Sequence, residues 1–305
     1  MGTPDFAVPT LNALIEAGFN IVGVITAPDK PAGRGMKISA SAVKSYAIEK
    51  GLQILQPDKL KNAAFTSELQ NLHADLQVVV AFRMLPEIVW NMPPMGTINL
   101  HGSLLPQYRG AAPINWAIIN GEKETGVTTF KLQHDIDTGN ILLQERIPIA
   151  PDETATELHN RMKLIGALLV VKTVQGLAEG VLEEMPQSNP SDRDGQTDLK
   201  HAPKIFTDTC RIDWNKNVDE IYNLIRGLSA YPGAFSYLDG KLLKIFRAEK
   251  EKKISTIQAG KYDTDKKTFL HFGCKDGFIS VKEIQLEGKK KMGIEEFLRG
   301  YHHLL

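Results

Sequence analysis

The chain has 305 residues, of which 42% are hydrophobic and 24% are charged, and its formal net charge at pH 7 is zero. This length favours two domains, and the composition is that of an ordinary globular protein. No apolar run reaches the ~18 residues that a membrane-spanning helix needs, and the N-terminal residues lack the pattern of a signal peptide, so we expect a cytoplasmic protein.

The first part of the chain alternates strand-like and helix-like segments. Short runs rich in β-branched residues predict strands, and apolar residues at helical spacing predict helices between them. The predicted strands are 21–26, 76–81 and 97–101, and the predicted helices are 9–17, 41–49 and 64–72. This order predicts a doubly wound, mostly parallel α/β sheet.

The same domain continues to about residue 184. It contains a predicted helix at 112–119, strands at 127–132 and 141–149, and a long helix at 154–179. Apolar residues of the long helix recur every three or four positions, and we expect this stripe to face the core. The stripe consists of Leu164, Leu168, Val171, Val174 and Leu177.

Residues 185–204 are polar and rich in turn formers, which is typical of a linker. Beyond the linker the apolar period changes to two, which predicts a small open β-barrel over residues 205–305. Its predicted strands are 235–238, 242–246, 269–272 and 278–284, with turns at 239–240 and 276–277 and helices at 218–226 and 294–298.

Charge is unevenly distributed between the two parts. Residues 201–305 hold 19 basic and 14 acidic side chains, a net of +5, so the first 200 residues carry a net of −5. A basic half suggests an anionic partner, although an excess of this size is also common in proteins without one.

The two cysteines, Cys210 and Cys274, are not spaced along the chain as metal ligands are. We therefore expect reduced thiols and no metal site.

The strand predicted at 97–101 carries the candidate active site. Asn99 and His101 are two residues apart and therefore share a face of the sheet, near the carboxyl end where ligands of open α/β sheets bind. Asp137 follows 36 residues after His101 in a turn that contains glycine, and it is suited to orient the imidazole and favour its charged form. An amide donor, an imidazole and a carboxylate are what acyl transfer to an amine requires.

Several motifs resemble the formyltetrahydrofolate-dependent formyltransferases. They are NLHGSLLP at 99–106, RGAAPI at 109–114, ETGVT at 124–128 and DTG at 137–139. GTPDFA at 2–7 and DKPAGRG at 29–35 resemble the members of this family that act on initiator methionyl-tRNA. The resemblance implies a formyltransferase-type domain followed by an OB-like domain that binds tRNA. It also implies 10-formyltetrahydrofolate as co-substrate, initiator methionyl-tRNA as partner, no metal, a monomer, and catalytic roles for Asn99, His101 and Asp137.

The resemblance also assigns the binding residues. The folate is expected to contact the turn after the 97–101 strand and the segment after the 76–81 strand, that is Ser103, Leu104, Leu105, Pro106, Phe82, Arg83, Met84 and Leu85. Cations of the 29–37 loop are expected to contact tRNA phosphates, namely Lys30, Arg34 and Lys37. Composition alone favours a structural turn for 103–106, a solvated loop for 29–37 and a solvated turn for the lysines at 289–291.

Three other functions remain open from the sequence. A formyltransferase for an amino sugar nucleotide would share Asn99, His101 and Asp137 without needing the 29–37 loop or the basic C-terminal part. The glycinamide ribonucleotide enzyme would share the core but end near residue 200. An RNA-binding module with an inactive catalytic half is the third alternative, and the intact set of three catalytic residues disfavours it.

A last expectation concerns the sheet itself. Members of the family have a short apolar strand before the GTPDFA motif, and here Met1 directly precedes Gly2. The first strand of a doubly wound sheet is central, so we expect a gap between strands 21–26 and 76–81 with unpaired backbone groups on both sides. We also expect that a version extended upstream by about ten residues, enough for one strand, is more stable and more active.

Overall fold

The computed structural model describes residues 1–32, 37–187, 198–253 and 257–301. In these residues the helices are α1 (Val8–Glu16), α2 (Ala42–Glu49), α3 (Ala63–Gln70), α4 (Glu87–Trp90), α5 (Pro113–Ile119), α6 (Ala155–Ala178), α7 (Val218–Leu228) and α8 (Ile294–Tyr301). The strands are β1 (Val24–Ile25), β2 (Lys30–Ala32), β3 (Lys37–Ser39), β4 (Ile54–Leu55), β5 (Gln77–Val80), β6 (Thr97–His101), β7 (Arg109–Gly110), β8 (Glu124–Lys131), β9 (Ile141–Pro148), β10 (His201–Ala202), β11 (Ala234–Leu238), β12 (Lys241–Glu251), β13 (Tyr262–Thr264), β14 (Leu270–Cys274), β15 (Gly277–Leu286) and β16 (Met292–Gly293).

The chain forms two compact units. The first contains residues 1–109, 126–147 and 159–200, and the second contains 110–125, 148–158 and 201–305. Each unit is therefore built from three separate stretches of chain, whereas the sequence predicts that each domain is one continuous stretch. The boundaries 1–184, 185–204 and 205–305 remain a prediction about domain organisation, but Met185 pairs with Ile141 of the first unit through two backbone hydrogen bonds of 2.7 and 2.9 Å.

The first unit is built on a mixed sheet with the strand order β5-β6-β8-β9. Strand β5 runs parallel to β6, and β8 runs antiparallel to β6. Helices and strands alternate before β6, which confirms the expected α/β architecture of formyltransferase type. Strand β6 ends at His101, as expected, so Asn99 and His101 lie toward its carboxyl end.

The expected gap lies between β1 and β5. Strand β1 pairs in parallel with β4 as a separate two-stranded sheet. Met1 and Gly2 lie between the two sheets: Gly2 N donates to the Ile25 carbonyl at 3.0 Å, and Val80 N donates to the Met1 carbonyl at 2.9 Å. The expectation of unpaired backbone groups on both sides is therefore wrong at the carboxyl end of this gap, where Met1 and Gly2 pair with both strands. Residues 20–23 are not part of a strand.

Helix α6 corrects part of the predicted apolar stripe: Val174 is buried as expected, but two of the leucines are not. Leu164 and Leu168 are 58% and 62% exposed, whereas Met162 and Val170 are buried. The reason lies between the two leucines, because a Cβ at Gly166 would be only 2.7 Å from Leu100 of β6. Gly166 therefore faces the sheet, and residues two positions away on a helix point roughly 200° round, toward solvent.

The second unit is an antiparallel sheet with the order β11-β12-β15-β14-β13, and β16 pairs with β15. Its inner face packs on the apolar side of α7, where Val218, Ile221 and Ile225 are buried among strand residues. Asp239 and Gly240 both have positive φ, which suits the two-residue hairpin turn predicted from their sequence. The expectation of a small OB-like domain is confirmed as a curled, open antiparallel sheet.

Candidate active site

His101 occupies a buried position at the end of β6. It is only 6% exposed, and its backbone partner on β8 is Thr128. Asn99 lies two residues earlier and is half-buried. No hydrogen bond from the described residues engages the Asn99 side chain, so its amide has donors available for a ligand.

The imidazole of His101 makes one contact through each nitrogen. Nε2 lies 2.9 Å from the carbonyl oxygen of Tyr108, and Nδ1 lies 3.7 Å from Oδ2 of Asp137. A carbonyl only accepts hydrogen bonds, so Nε2 carries the proton and donates it to Tyr108. Nδ1 faces the Asp137 carboxylate, so a proton on Nδ1 would form an ion pair with Asp137. Nδ1 is thus the nitrogen positioned to accept a proton during a reaction.

Asp137 is presented by a tight turn. Its φ is +55°, and its side chain is largely buried beside His101. Thr138 Oγ1 closes the turn by donating to the Asp135 carbonyl at 3.0 Å. The turn is further held by Gln187, whose Nε2 donates to the carbonyls of Asp137 and Gly139 at 2.9 and 2.8 Å.

Gln187 is itself fixed by Arg109. Its Oε1 accepts hydrogen bonds from Nε and Nη2 of Arg109 at 3.0 and 2.6 Å. Gln187 lies in the predicted linker 185–204, because its polar surroundings in sequence are typical of a flexible segment. No short-range pattern reveals a contact to residues about 50 positions away along the chain. The described part of the linker therefore includes a residue that orients the candidate catalytic turn.

The 103–106 turn is divided between buried and accessible side chains. Ser103 is fully buried and its hydroxyl donates to the Gln107 carbonyl at 2.6 Å, while Leu105 packs with Phe130 in the core. Leu104 and Pro106 are half-buried. Of these four candidates for folate binding, Leu104 and Pro106 thus offer side-chain surface to a ligand.

The segment after β5 contributes to a cleft of about 410 Å³. Phe82 and Arg83 line it together with Lys30, one of the cations predicted for tRNA. Arg83 is held along the wall by hydrogen bonds to the carbonyls of Pro57 and Asp58. Of the other two candidates in this segment, Met84 is 69% exposed and Leu85 is buried. The structure therefore brings predicted folate residues and a predicted tRNA residue to one cleft.

Asp29 fixes the base of the hairpin that carries the predicted tRNA cations. Lys44 Nζ lies 2.5 Å from its carboxylate, and Gln56 Nε2 donates to it at 2.9 Å. These contacts, the one with Lys44 above all, hold the pKa of the Asp29 carboxyl below its usual value. Lys30 of β2 is exposed, Lys37 begins β3, and Arg34 lies outside the described residues.

Neither a metal site nor a membrane-spanning helix is found among the described residues. Across the described residues, no group of three or more His, Cys, Asp or Glu side chains is arranged to hold a metal ion. None of the helices in the same residues is both long and apolar enough to cross a membrane.

In the second unit, two lysines of the 289–291 turn form ion pairs: Lys290 with Glu296, and Lys291 with Glu283.

Comparison with known proteins identifies the family. Residues 1–174 match the formyl transferase family, and residues 204–302 match the formyl transferase C-terminal domain. A methionyl-tRNA formyltransferase from Bacteroides fragilis is 53% identical over 307 residues, which cover 99% of this chain and 94% of that protein. The Parabacteroides distasonis methionyl-tRNA formyltransferase is 54% identical over 310 residues, covering 100% of this chain and 95% of its own length.

Solved structures share the fold at lower identity. The sugar 3N-formyltransferase WlaRD, crystallised with dTDP and 5-N-formyl-THF, has a TM-score of 0.67 at 21% identity and covers 95% of this chain and 97% of its own. An N-formyltransferase from Helicobacter canadensis, in complex with folinic acid and dTDP-3-aminofucose, gives the same TM-score, identity and coverage. The chain belongs to the formyl transferase family.

Proposed function

We propose that this chain transfers the formyl group of 10-formyltetrahydrofolate to the α-amine of methionine esterified to initiator tRNA, for translation initiation in the cytoplasm. The observation that carries the proposal is identity above 50% to methionyl-tRNA formyltransferases across essentially the whole length of both proteins. The solved sugar N-formyltransferases cover a similar share of the chain at only 21% identity, so the high identity rather than the shared fold favours the tRNA substrate.

The folate serves as a co-substrate that supplies the formyl group on N10. The amine attacks the formyl carbon, a new C–N bond forms, and the formyl oxygen gains negative charge before the bond to N10 breaks. Asn99 donates hydrogen bonds to that oxygen, because its amide has no partner among the described residues. Such donors stabilise charge that develops only during the reaction.

His101 removes the proton that the attacking amine must lose. Its Nε2 is already protonated toward the Tyr108 carbonyl, so Nδ1 is the basic atom. The Asp137 carboxylate, 3.7 Å from Nδ1, stabilises the imidazolium that results. Each chemical role is thereby assigned to a side chain of the chain itself, and the proposed reaction uses no metal ion.

Binding of the two substrates is assigned to separate features. The flat heterocycle of the folate packs against Leu104 and Pro106 on one side and the segment of Phe82–Leu85 on the other, with Ser103 and Leu105 holding the turn from within. Lys30, Arg34 and Lys37 contact phosphates near the acceptor end of the tRNA, and the enzyme acts as a monomer. A cation in the cleft beside Phe82 suits an anionic group of either substrate.

A formyltransferase for an amino sugar nucleotide is the second candidate, because structures of that class share the fold at a TM-score of 0.67. The two are separated by offering labelled 10-formyltetrahydrofolate with methionyl-initiator tRNA, an amino sugar nucleotide or glycinamide ribonucleotide in parallel. We expect label in the methionyl-tRNA alone. Label in the sugar nucleotide with none in the tRNA would overturn the proposal.

A further inference from the structure

The buried Thr128 hydroxyl lies at the centre of a hydrogen-bond network beside His101. Thr128 is fully buried on β8 and is the backbone partner of His101, so both side chains project from the same face of the sheet. Its Oγ1 donates to the Ser103 carbonyl at 2.7 Å and accepts from Leu105 N at 3.2 Å. It also accepts from Gln144 Nε2 at 2.9 Å.

These contacts use the whole bonding capacity of the hydroxyl. A hydroxyl has one proton to donate and two lone pairs, and all three are engaged here. The second proton of the Gln144 amide is donated to the Leu105 carbonyl at 2.9 Å. Both backbone groups of Leu105 are therefore held by two side chains from neighbouring strands, far from it in sequence.

The network reaches the imidazole through the backbone. Ser103 and Leu105 begin the loop whose other end carries Tyr108, and the Ser103 hydroxyl ties the two ends together through the Gln107 carbonyl at 2.6 Å. The next carbonyl, that of Tyr108, fixes the proton of His101 on Nε2. A displaced loop would release this contact and allow the ring to rotate or change tautomer.

We propose that Thr128, assisted by Gln144, is a positioning residue for formyl transfer: it holds the 103–108 loop so that Tyr108 keeps the His101 proton on Nε2 and leaves Nδ1 as the base. Thr128 touches no reacting atom. The effect of Thr128 on catalysis rests on the proposed function. Its effect on the His101 tautomer does not, because the tautomer can be measured without any substrate.

The chain contains a matched control at the adjacent position. Thr129 is also fully buried, and its hydroxyl accepts from Leu143 N at 3.2 Å and bonds Thr173 Oγ1 at 2.8 Å. Its side chain lies on the opposite face of β8, toward α6 and away from the 103–108 loop. Thr129→Val thus removes a buried hydroxyl of the same kind without touching the proposed network.

The test compares Thr128→Val, Thr128→Ser, Gln144→Met and Thr129→Val with the wild type. Steady-state formylation at several pH values gives kcat, KM and the pH profile, and ¹⁵N NMR of labelled histidines reports the His101 tautomer, with His101→Asn to assign its signals. Thermal unfolding measures the stability of each variant. Because Gln144 is exposed, Gln144→Met tests the network even if Thr128→Val fails to fold.

We expect Thr128→Val and Gln144→Met to lower kcat by about 10- to 100-fold, since misplacing a catalytic group by about 1 Å has effects of this size. KM should change by no more than about two-fold, the pH profile should shift, and the Nε2-protonated fraction of His101 should fall. Thr128→Ser should restore most of the activity and the wild-type tautomer. Thr129→Val should lower the stability of the protein but keep the wild-type activity and the wild-type His101 tautomer.

Two results would overturn the inference. One is a folded Thr128→Val or Gln144→Met variant with wild-type kcat and tautomer, and the other is Thr129→Val with the same losses as Thr128→Val. If the wild type fails to formylate methionyl-tRNA, the proposed function is wrong, and the His101 tautomer in Thr128→Val still decides whether the network positions the ring.

Discussion

Gly139 offers a sharp test of how closely the Asp137 turn must be held. A Cβ built on Gly139 would lie 1.7 Å from the Lys131 carbonyl oxygen, and real Cβ atoms essentially never approach other heavy atoms closer than 3.0 Å. In Gly139→Ala one of the two backbone segments must therefore move by about 1.3 Å or more. Leu132 N, next to Lys131, donates to the Thr97 carbonyl of β6 and anchors the strand there, so the turn should move.

That movement displaces Asp137, two residues earlier, from its position 3.7 Å from His101 Nδ1. A misplacement of about 1 Å at a catalytic group costs about 100-fold in rate, so we expect kcat to fall by about that factor. Overpacking should also lower the free energy of unfolding by about 1–3 kcal/mol. Formylation kinetics and chemical denaturation measure the two effects separately.

Gly300→Ala is the control, because a Cβ at Gly300 would meet no heavy atom within 4 Å and lies in α8 of the second unit. It should leave kcat unchanged. A Gly139→Ala protein that folds and retains wild-type kcat would refute the claim that the turn geometry sets the rate.

Further predictions concern single side chains. Asn99→Ala should lower kcat by about 10²–10³-fold with little change in KM, as removal of an oxyanion donor does, and an unchanged kcat would exclude that role. Gln187→Leu removes both amide donors from the Asp137 turn and should lower kcat in formylation assays, whereas wild-type kinetics would show that the clamp is dispensable. Lys30→Ala and Arg34→Ala should each reduce the slope of log affinity for tRNA against log salt by about 0.9 or less, and an unchanged slope would mean that neither cation contacts phosphate. Because Lys44 lowers the pKa of Asp29 below its ordinary 3.8, Asp29→Asn should lower Tm at neutral pH. That difference should disappear as the pH falls through the lowered pKa, since the stabilisation requires the ionised carboxylate, and a difference independent of pH would contradict the assignment.

The local sequence pattern is sufficient to predict the secondary-structure elements that carry the candidate site. The bounds of β6 follow from five residues with strand character, and the period of two alone places Asn99 and His101 on one face. Ser41 begins α2 by accepting a hydrogen bond from Lys44 N, at the residue where the sequence predicts the helix. Strands β4 and β13, of two and three residues, were missed because their pairing is fixed by neighbours rather than by their own periodicity.

The side chains that support the site could not be found in this way. Thr128, Gln144 and Gln187 are ordinary polar residues in sequence, and each acts through a partner between 16 and 78 positions away. The predicted stripe on α6 is wrong at Leu164 and Leu168, although Val174 is buried, because apolar residues lie on both faces of that helix. Only the close approach of Gly166 to Leu100 decides which face is buried.

His101, oriented by Asp137, is the proposed base for formyl transfer to methionyl-initiator tRNA. Single-turnover transfer of label from 10-formyltetrahydrofolate to that tRNA, by the wild type and by His101→Ala, tests it most directly. We expect rapid labelling by the wild type and a rate at least about 10²-fold lower for a folded His101→Ala protein. Equal rates for the two proteins, or no labelling by the wild type, would contradict it.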